Sequence, residues 1–158
     1  MRILAIDPGT TESAYVIMVD GEIVAKGKTS HDCIINLIQN VRCDILAIEM
    51  IASYGMPVGR EIFETCVWIG EYRRAAKATH GYGKICMVYR RDVKLHLCGT
   101  TKAKDGNIRQ ALIDRFPASG GGRVPQIGTK GQPGKLYGVS ADIWAALAVA
   151  MYTQDIAR

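Results

Sequence analysis

The segment RILAIDPGTTESAYVIM, from Arg2 to Met18, contains the features on which the fold prediction rests. An apolar run of strand length ends at Asp7, and the turn residues Pro8 and Gly9 follow at once. A second apolar run, SAYVIMVD, then begins at Ser13. The pattern predicts two antiparallel strands, with a carboxylate at the end of the first.

Three more segments have the length and composition of strands. EIVAKGKT follows Asp20-Gly21, a dipeptide typical of tight hairpin turns, so the chain is predicted to open with a three-strand meander. ILAIEMI is an almost continuous apolar run, which favours a central strand covered on both faces. KICMVY is the fifth candidate strand.

Helical spacing of apolar residues separates and follows these strands. Alternation of strand and helix predicts right-handed parallel crossovers, so the expected class is α/β, with a mixed five-stranded sheet flanked by helices. The last helix lies in SADIWAALAVAMYT, for which Ser140 is the expected N-cap. The other helices are predicted over residues 31–41, 58–79, 92–98 and 104–116.

Length and composition favour one compact domain over residues 1–158, because 158 residues with 48% hydrophobic content can bury a single core. The segment 117–138 holds seven glycines, three prolines and no acid, and we predict a flexible basic loop there. No apolar run is long enough for a membrane span, and we expect a soluble cytoplasmic protein without membrane contact. The five cysteines lack metal-ligand spacing and are predicted to be buried free thiols.

The net charge of +5 is unevenly distributed. Residues 1–50 carry four basic and seven acidic groups, whereas residues 51–158 carry sixteen and eight. An acidic centre in a basic protein suits a polyanion held by its phosphates above a metal-binding site, although an ordinary solvated basic surface explains the charge equally well. His31, His80 and His96 lie outside any metal-ligand spacing, and we expect surface or core roles for them.

Three carboxylates are candidates for that centre: Asp7, Glu49 and Asp142. Asp7 could simply initiate a turn, and Asp142 could be an acid favoured by the dipole of the last helix. Glu49, flanked by apolar residues, needs a partner or a metal if it is buried.

If the strands that end near Asp7 and Glu49 are parallel neighbours, both acids emerge at their carboxyl ends, where open α/β sheets bind ligands. Converging carboxylates repel one another unless a divalent cation lies among them, and oxygen ligands favour magnesium. Two such ions would support hydrolysis of a nucleic-acid backbone without a covalent intermediate.

ILAIDPGTT, the hairpin, ILAIEMI and the late SADIWAALAVA together resemble RuvC-type Holliday-junction resolvases of the ribonuclease H superfamily, particularly the short bacteriophage forms. The resemblance covers almost the whole chain. It implies a ribonuclease H-like sheet and a homodimer that nicks four-way DNA junctions symmetrically with Mg²⁺ or Mn²⁺, in the host cytoplasm if the protein is phage-encoded. It implies no nicotinamide or flavin cofactor. By motif match, Asp7 and Glu49 are the first two catalytic metal ligands.

The last motif departs from the family pattern, which has two acids three residues apart. Alignment on ALAVA gives Asp142 the first of these positions and Ala145 the second. Either Asp142 serves alone, or Asp105 or Asp114 compensates, or the last helix is shifted in register.

Candidate DNA-binding residues lie in two segments. GTTKAKDGNIRQAL resembles a family segment that bears a lysine near the scissile phosphate, for which Lys102 and Lys104 are the candidates. In the loop 117–138 the candidates are Arg123, Lys130 and Lys135.

Other functions are compatible with parts of the pattern. Sugar kinases and actin-like ATPases also use D-x-G-T-T, but they need two lobes around the nucleotide. A branch or flap nuclease of the same fold and an inactive junction-binding module are the remaining alternatives.

Overall fold

The computed structural model describes residues 1–79 and 82–157. Within these ranges the chain forms one five-stranded sheet and five α-helices. In chain order the elements are β1 (Arg2–Asp7), β2 (Glu12–Val19), β3 (Glu22–Ser30), α1 (His31–Asn40), β4 (Cys43–Met50), α2 (Arg60–Thr79), β5 (Tyr82–Tyr89), α3 (Arg90–Cys98), α4 (Asp105–Ile113) and α5 (Ile143–Ile156).

The sheet has the strand order β3-β2-β1-β4-β5. β1, β2 and β3 pair in antiparallel fashion, while β4 lies parallel to β1 and β5 lies parallel to β4. This confirms the predicted meander with two added parallel strands. The β2–β3 hairpin turns at Asp20 and Gly21, whose φ angles of 49° and 93° are both positive, as a tight hairpin turn requires.

The sheet is covered on both faces, and side chains along each strand alternate between the two cores. Ile3 and Ala5 of β1 belong to the core formed with α3, α4 and α5, while Leu4 and Ile6 belong to the core formed with α1 and α2. Each large apolar side chain buried in this way contributes about 1.5–3 kcal/mol. The two cores hold β1 in register from both sides.

β4 follows the same alternation. Ile45 and Ala47 face the α5 core, and Leu46 and Ile48 face the α2 core. Leu46, Ala47 and Ile48 are 0% exposed, which confirms that this strand is central. Because odd-numbered residues of β1 and β4 point to the α5 side, the alternation directs Asp7 and Glu49 to one face of the sheet.

The last helix begins later than the sequence indicates. Its N-cap is Asp142, and the prediction of Ser140 was wrong. Ala141 has a φ of 42°, and this left-handed conformation prevents the helix from extending back to Ser140. The helix therefore starts at Ile143, one residue after the candidate acid.

The segment 117–138 contains no helix or strand, as predicted for a loop. Backbone hydrogen bonds cross it, including Gly134 N–H to the Ile127 carbonyl at 2.9 Å, and Leu136 is 0% exposed in the α5 core. Backbone atoms fill the positions where a Cβ of Gly128 or Gly134 would lie, so these glycines permit close packing within the segment.

The remaining sequence predictions have mixed outcomes. The five cysteines are free thiols and Cys43 is buried, but Cys33 is exposed, since α1 turns it to solvent. His31 is buried in the structure, and His96 bonds to Asp155. His80 lies outside the described residues. None of the described helices has the length and hydrophobicity needed to cross a membrane.

Candidate active site

Asp7 and Glu49 lie together at the carboxyl ends of β1 and β4. Ile6 is the register partner of Ile48, so the next residue of each strand emerges at the same edge and on the same face. Glu49 is 9% exposed. Both carboxyl groups line a cleft of about 390 Å³. The parallel pairing predicted from the sequence therefore brings the two acids together.

The cleft is an unfavourable environment for negative charge. Burial, followed by the neighbouring charges of Glu49 and Asp142, raises the pKa of Asp7 to about 8. Burial also raises the pKa of Glu49, although the nearby Arg90 guanidinium opposes the shift. A cation placed between the two carboxyl groups would relieve both costs.

Asp142 lines the same cleft from the start of α5. Its Oδ2 atom accepts a hydrogen bond of 2.6 Å from Lys28 Nζ on β3, and this bond raises the pKa of Lys28. The Asp142 side chain is 52% exposed, so it lies at the rim, whereas Glu49 lies at the floor. The structure brings all three predicted acids to one cleft, with a lysine already bound to the third.

Two arginines that line the cleft, Arg90 and Arg109, were not among the predicted site residues, whereas Asp105 was considered only as a possible substitute for the missing acid. Arg90, the first residue of α3, lies 3.5 Å from Glu49 through Nη1 and 2.6 Å from Asp105 through Nη2. Asp105 begins α4 and lines the cleft. The sequence could have indicated Arg90, because this residue directly follows β5, which is the parallel neighbour of the strand that carries Glu49.

Ala145, which aligns with the second acid of the RuvC-type motif that the sequence resembles, also lies in the cleft wall. Asp105 lines the cleft as well, whereas Asp114 caps the end of α4 and is hydrogen-bonded to Gln110 at 2.8 Å. Of the two acids that could compensate for Ala145, only Asp105 lies in the cleft. Arg109 stacks over the Trp144 ring at 4.9 Å and completes this wall.

The turn after Asp7 is fixed by a buried chain of hydrogen bonds. Gly9 N–H donates to Ser13 Oγ at 3.3 Å, and Ser13 Oγ lies 2.8 Å from the Tyr72 hydroxyl. That hydroxyl lies 2.6 Å from His31 Nδ1, and His31 Nε2 lies 2.9 Å from the Thr10 carbonyl oxygen. A neutral His31 with its proton on Nε2 satisfies every group, because Nε2–H donates to Thr10 and Nδ1 accepts from Tyr72.

Gly9 is required in that turn, since the Glu12 carbonyl oxygen occupies the place where a Cβ would lie. α1 supplies His31 and α2 supplies Tyr72, so both helices of the α2 core hold the backbone that follows Asp7. The position of the carboxylate therefore depends on packing behind the sheet.

The donor set of the cleft suits a hard divalent cation. Asp7 and Glu49 offer carboxylate oxygens, the ligands that Mg²⁺ and Mn²⁺ prefer, and burial raises the pKa values of both groups. In residues 1–79 and 82–157 no three His, Cys, Asp or Glu side chains are arranged to share one metal ion. The pair at the floor fits a metal, with waters and substrate oxygens as the remaining ligands.

Of the predicted DNA-binding residues, two lysines lie next to the cleft in the chain, and Lys135 lies at the opposite end of β1. Lys104 is the N-cap of α4 and directly precedes Asp105, and Lys102 is two residues earlier. Both lysines are exposed, as are Arg123 and Lys130. Lys135 bonds to Glu22 at 2.7 Å, next to the β2–β3 hairpin. That hairpin lies at the amino end of β1, so Lys135 is not part of the cleft.

The fold is the ribonuclease H-like α/β fold seen in RuvC: a five-stranded mixed sheet flanked by five helices within the described residues. The structure is similar to that of Thermus thermophilus RuvC, with a TM-score of 0.71 and 16% identity over 100% of this chain and 96% of that chain. It is also similar to T. thermophilus RuvC in complex with Holliday junction substrate, with a TM-score of 0.69 and 17% identity over 100% and 95% of the two chains. No protein-family model and no curated protein matches the sequence.

Proposed function

We propose that this protein is a structure-selective DNA endonuclease that resolves four-way junctions by hydrolysing phosphodiester bonds with a divalent metal. The observation that carries the proposal is the pair Asp7 and Glu49, neighbours at the carboxyl ends of two parallel strands within a RuvC-type fold. The T. thermophilus protein of the same fold was solved with a Holliday junction. An acidic pair of which Glu49 is buried and Asp7 is half-buried, in a chain of net charge +5, suits a phosphate substrate bridged by a cation.

The acids would have two roles in the proposed reaction. Asp7 and Glu49 would hold Mg²⁺ or Mn²⁺, and Asp142 would contribute to that site from the rim of the cleft. The bound ion would polarise the phosphodiester and lower the pKa of the attacking water. The water oxygen bonds to phosphorus, the bond from phosphorus to the 3′ oxygen breaks, and a proton from the water ends on that 3′ oxygen. The products are a 5′ phosphate and a 3′ hydroxyl, which a ligase can rejoin.

Basic side chains would position the DNA backbone without reading its bases. Lys102 and Lys104 approach from the start of α4, beside the cleft. Arg123, Lys130 and Lys135 would bind phosphates further from the cut, along the segment 117–138. Affinity for DNA therefore falls steeply as salt rises, and recognition depends on the shape of the junction.

A homodimer would match the two-fold symmetry of a junction and cut two opposing strands. α2 supports this part of the proposal, because Phe63 and Val67 are 61% and 65% exposed and lie one helical turn apart. An apolar pair of this kind on a helix is suited to a second copy of the chain. Light scattering of wild-type and Phe63→Asp protein tests it: we expect a dimer and a monomer, respectively.

The central experiment compares a synthetic four-way junction with a linear duplex and a flap, each with Mg²⁺ and with EDTA. Wild-type protein should cut only the junction, symmetrically and only with metal. Asp7→Asn should bind the junction without cutting it. Asp114→Asn is the matched control, since Asp114 is exposed and outside the cleft, and asparagine can still accept the hydrogen bond of Gln110.

Other outcomes identify the competing functions. Equal cutting of all three substrates would identify a general branch or flap nuclease. Junction binding without cutting in any metal would identify an inactive binding module. Mg²⁺-dependent turnover of ATP, lost in Asp7→Asn, would identify the kinase-like function.

A further inference from the structure

Three neighbouring parallel strands end at the cleft, and each presents a charged residue there. β1 ends at Asp7, β4 carries Glu49, and β5 is followed directly by Arg90. Val88 and Tyr89 of β5 are the register partners of Glu49 and Met50, so the start of α3 lies beside the end of β4. The sheet therefore holds a guanidinium group next to the acidic pair.

The Arg90 side chain is held in place by two carboxylates. Nη1 lies 3.5 Å from Glu49 Oε1, and Nη2 donates a hydrogen bond of 2.6 Å to Asp105 Oδ1. Arg90 is 30% exposed, whereas the Asp105 side chain is 80% exposed, so the guanidinium lies deeper than the acid that holds it. Its planar fork remains charged at any pH at which the protein is folded.

The charges that line the cleft match one divalent cation. Four carboxylates, Asp7, Glu49, Asp105 and Asp142, line the cleft with two guanidinium groups, Arg90 and Arg109, and Lys28 Nζ bonds to Asp142 at the rim. Full ionisation of these groups leaves one negative charge. Together with the single negative charge of a bound phosphodiester, it is neutralised by one Mg²⁺ and would be exceeded by two. Ala145 lines the wall without adding a charge. The cleft thus lacks one acid and contains a fixed cation.

We propose, on the basis of the nuclease function above, that Arg90 is a catalytic residue that replaces a second metal ion. The cleft then binds one divalent cation, at Asp7 and Glu49, and the Arg90 fork contacts a non-bridging oxygen of the scissile phosphate. Asp105 is a positioning residue that holds the fork toward the cleft. As water attacks phosphorus and the 3′ oxygen leaves, Arg90 stabilises the negative charge on the phosphoryl oxygens.

If Arg90 only formed a structural ion pair with Glu49, its substitution would have different effects. Loss of a structural Arg90 would leave Glu49 buried beside Asp7 without a partner and would damage the metal site and the reaction together. If Arg90 instead competes with the metal for the carboxylates and also stabilises the transition state, its loss affects metal affinity and the cutting rate in opposite directions. Removing it should tighten metal binding and slow the cutting.

The test measures Mn²⁺ binding in the absence of DNA, by following the EPR signal of the free ion, and junction cleavage separately at saturating Mn²⁺. Wild-type protein should bind one Mn²⁺ per chain. Arg90→Gln should bind Mn²⁺ about tenfold more tightly and cut at least about 100-fold more slowly. Arg91→Gln is the matched control: the same charge is removed from the next residue, which is exposed, and the Mn²⁺ affinity should stay within about twofold.

Two more variants keep the outcome decisive if Arg90→Gln is poorly folded by circular dichroism. Arg90→Lys keeps the charge without the fork, so Mn²⁺ affinity should be unchanged while cutting falls about tenfold or more. Arg90→Gln with Asp105→Asn keeps the net charge, and it should bind Mn²⁺ as wild type does and still fail to cut.

Two Mn²⁺ ions per wild-type chain, unchanged or weaker Mn²⁺ binding by Arg90→Gln, or wild-type cutting by that variant would each overturn the proposal. The proposed function has a separate test. Wild-type protein that binds Mn²⁺ but cuts no junction refutes junction resolution, and the Mn²⁺ affinity of Arg90→Gln still decides whether Arg90 competes with metal.

Discussion

Two carboxylates of this molecule, Asp7 and Asp155, stand in opposite electrostatic situations. In the cleft, burial raises the pKa of Asp7 to about 8. On α5, burial alone would raise the pKa of Asp155, but hydrogen bonds from His96 and Arg115 outweigh it and the pKa is lowered. Asp155 stabilises the fold with its partners, whereas Asp7 is buried beside other acids, which favours a ligand that supplies positive charge.

The largest expected difference between the cleft and the Asp155 region is in the effect of a substitution on the rate of junction cleavage. Glu49→Gln removes one of the two carboxylates that we propose to bind metal at the floor of the cleft, so the rate of junction cleavage should fall by about 10³-fold while the fold is retained. The rise in melting temperature on adding Mg²⁺ should also vanish. Single-turnover cleavage and thermal unfolding measure the two quantities. A variant that cuts at more than a tenth of the wild-type rate would contradict the role of Glu49.

The pH dependence of stability should have opposite signs for the two carboxylates. The folded pKa of Asp7 exceeds its unfolded value, so the native state binds more protons and ionised Asp7 destabilises it increasingly from about pH 4 to about pH 8. In EDTA, Asp7→Asn should exceed wild type in unfolding free energy by roughly 2–4 kcal/mol at pH 8, and by less at pH 5. Urea unfolding at both pH values measures this, and added Mg²⁺ should reduce the difference.

The folded pKa of Asp155 is lowered, so its contribution is present above its unfolded pKa and is lost as the pH falls through the folded value. Asp155→Asn should therefore reduce the unfolding free energy by about 1–3 kcal/mol at pH 7, since it weakens hydrogen bonds to charged partners. Junction cleavage should be unchanged below the melting temperature. Asp114→Asn, with one hydrogen bond inside α4, is the control and should change stability by less than about 0.5 kcal/mol.

The smallest effect is expected at the rim. Lys28 and Asp142 form an ion pair whose side chains are 41% and 52% exposed, so solvent screens it. Lys28→Gln should raise the Mg²⁺ affinity about twofold, because it frees Asp142 without disturbing the floor of the cleft. Isothermal titration of Mg²⁺ measures the change. A loss of affinity would show that Lys28 orients Asp142 for metal binding.

The sequence predicted those parts of the molecule that follow from local pattern. Apolar runs at β1 and β4, the hairpin at Asp20 and Gly21, and the alternation of strands with helices predicted the sheet and its parallel pair, and the structure confirms both. Given that pairing, Asp7 and Glu49 emerge at one edge because strand direction and side-chain alternation require it.

The rest depends on contacts between residues far apart in the chain. Lys28 reaches Asp142 across 114 positions, and Arg90 reaches Asp105 through the packing of α3 on α4, which no local pattern indicates. The start of α5 was predicted wrongly because Ala141 adopts a left-handed conformation that alanine rarely takes. The flexibility of the segment 117–138 and the roles of its basic residues stay predictions.

The hydrogen-bond chain behind the cleft has a consequence for how the protein folds. Ser13 meets Tyr72 across 59 positions, and His31 meets Tyr72 across 41. The first hairpin can form early from local contacts, but the loop that follows Asp7 gains its partners only after α2 has docked. The turn that follows Asp7 should therefore become fully ordered late in folding.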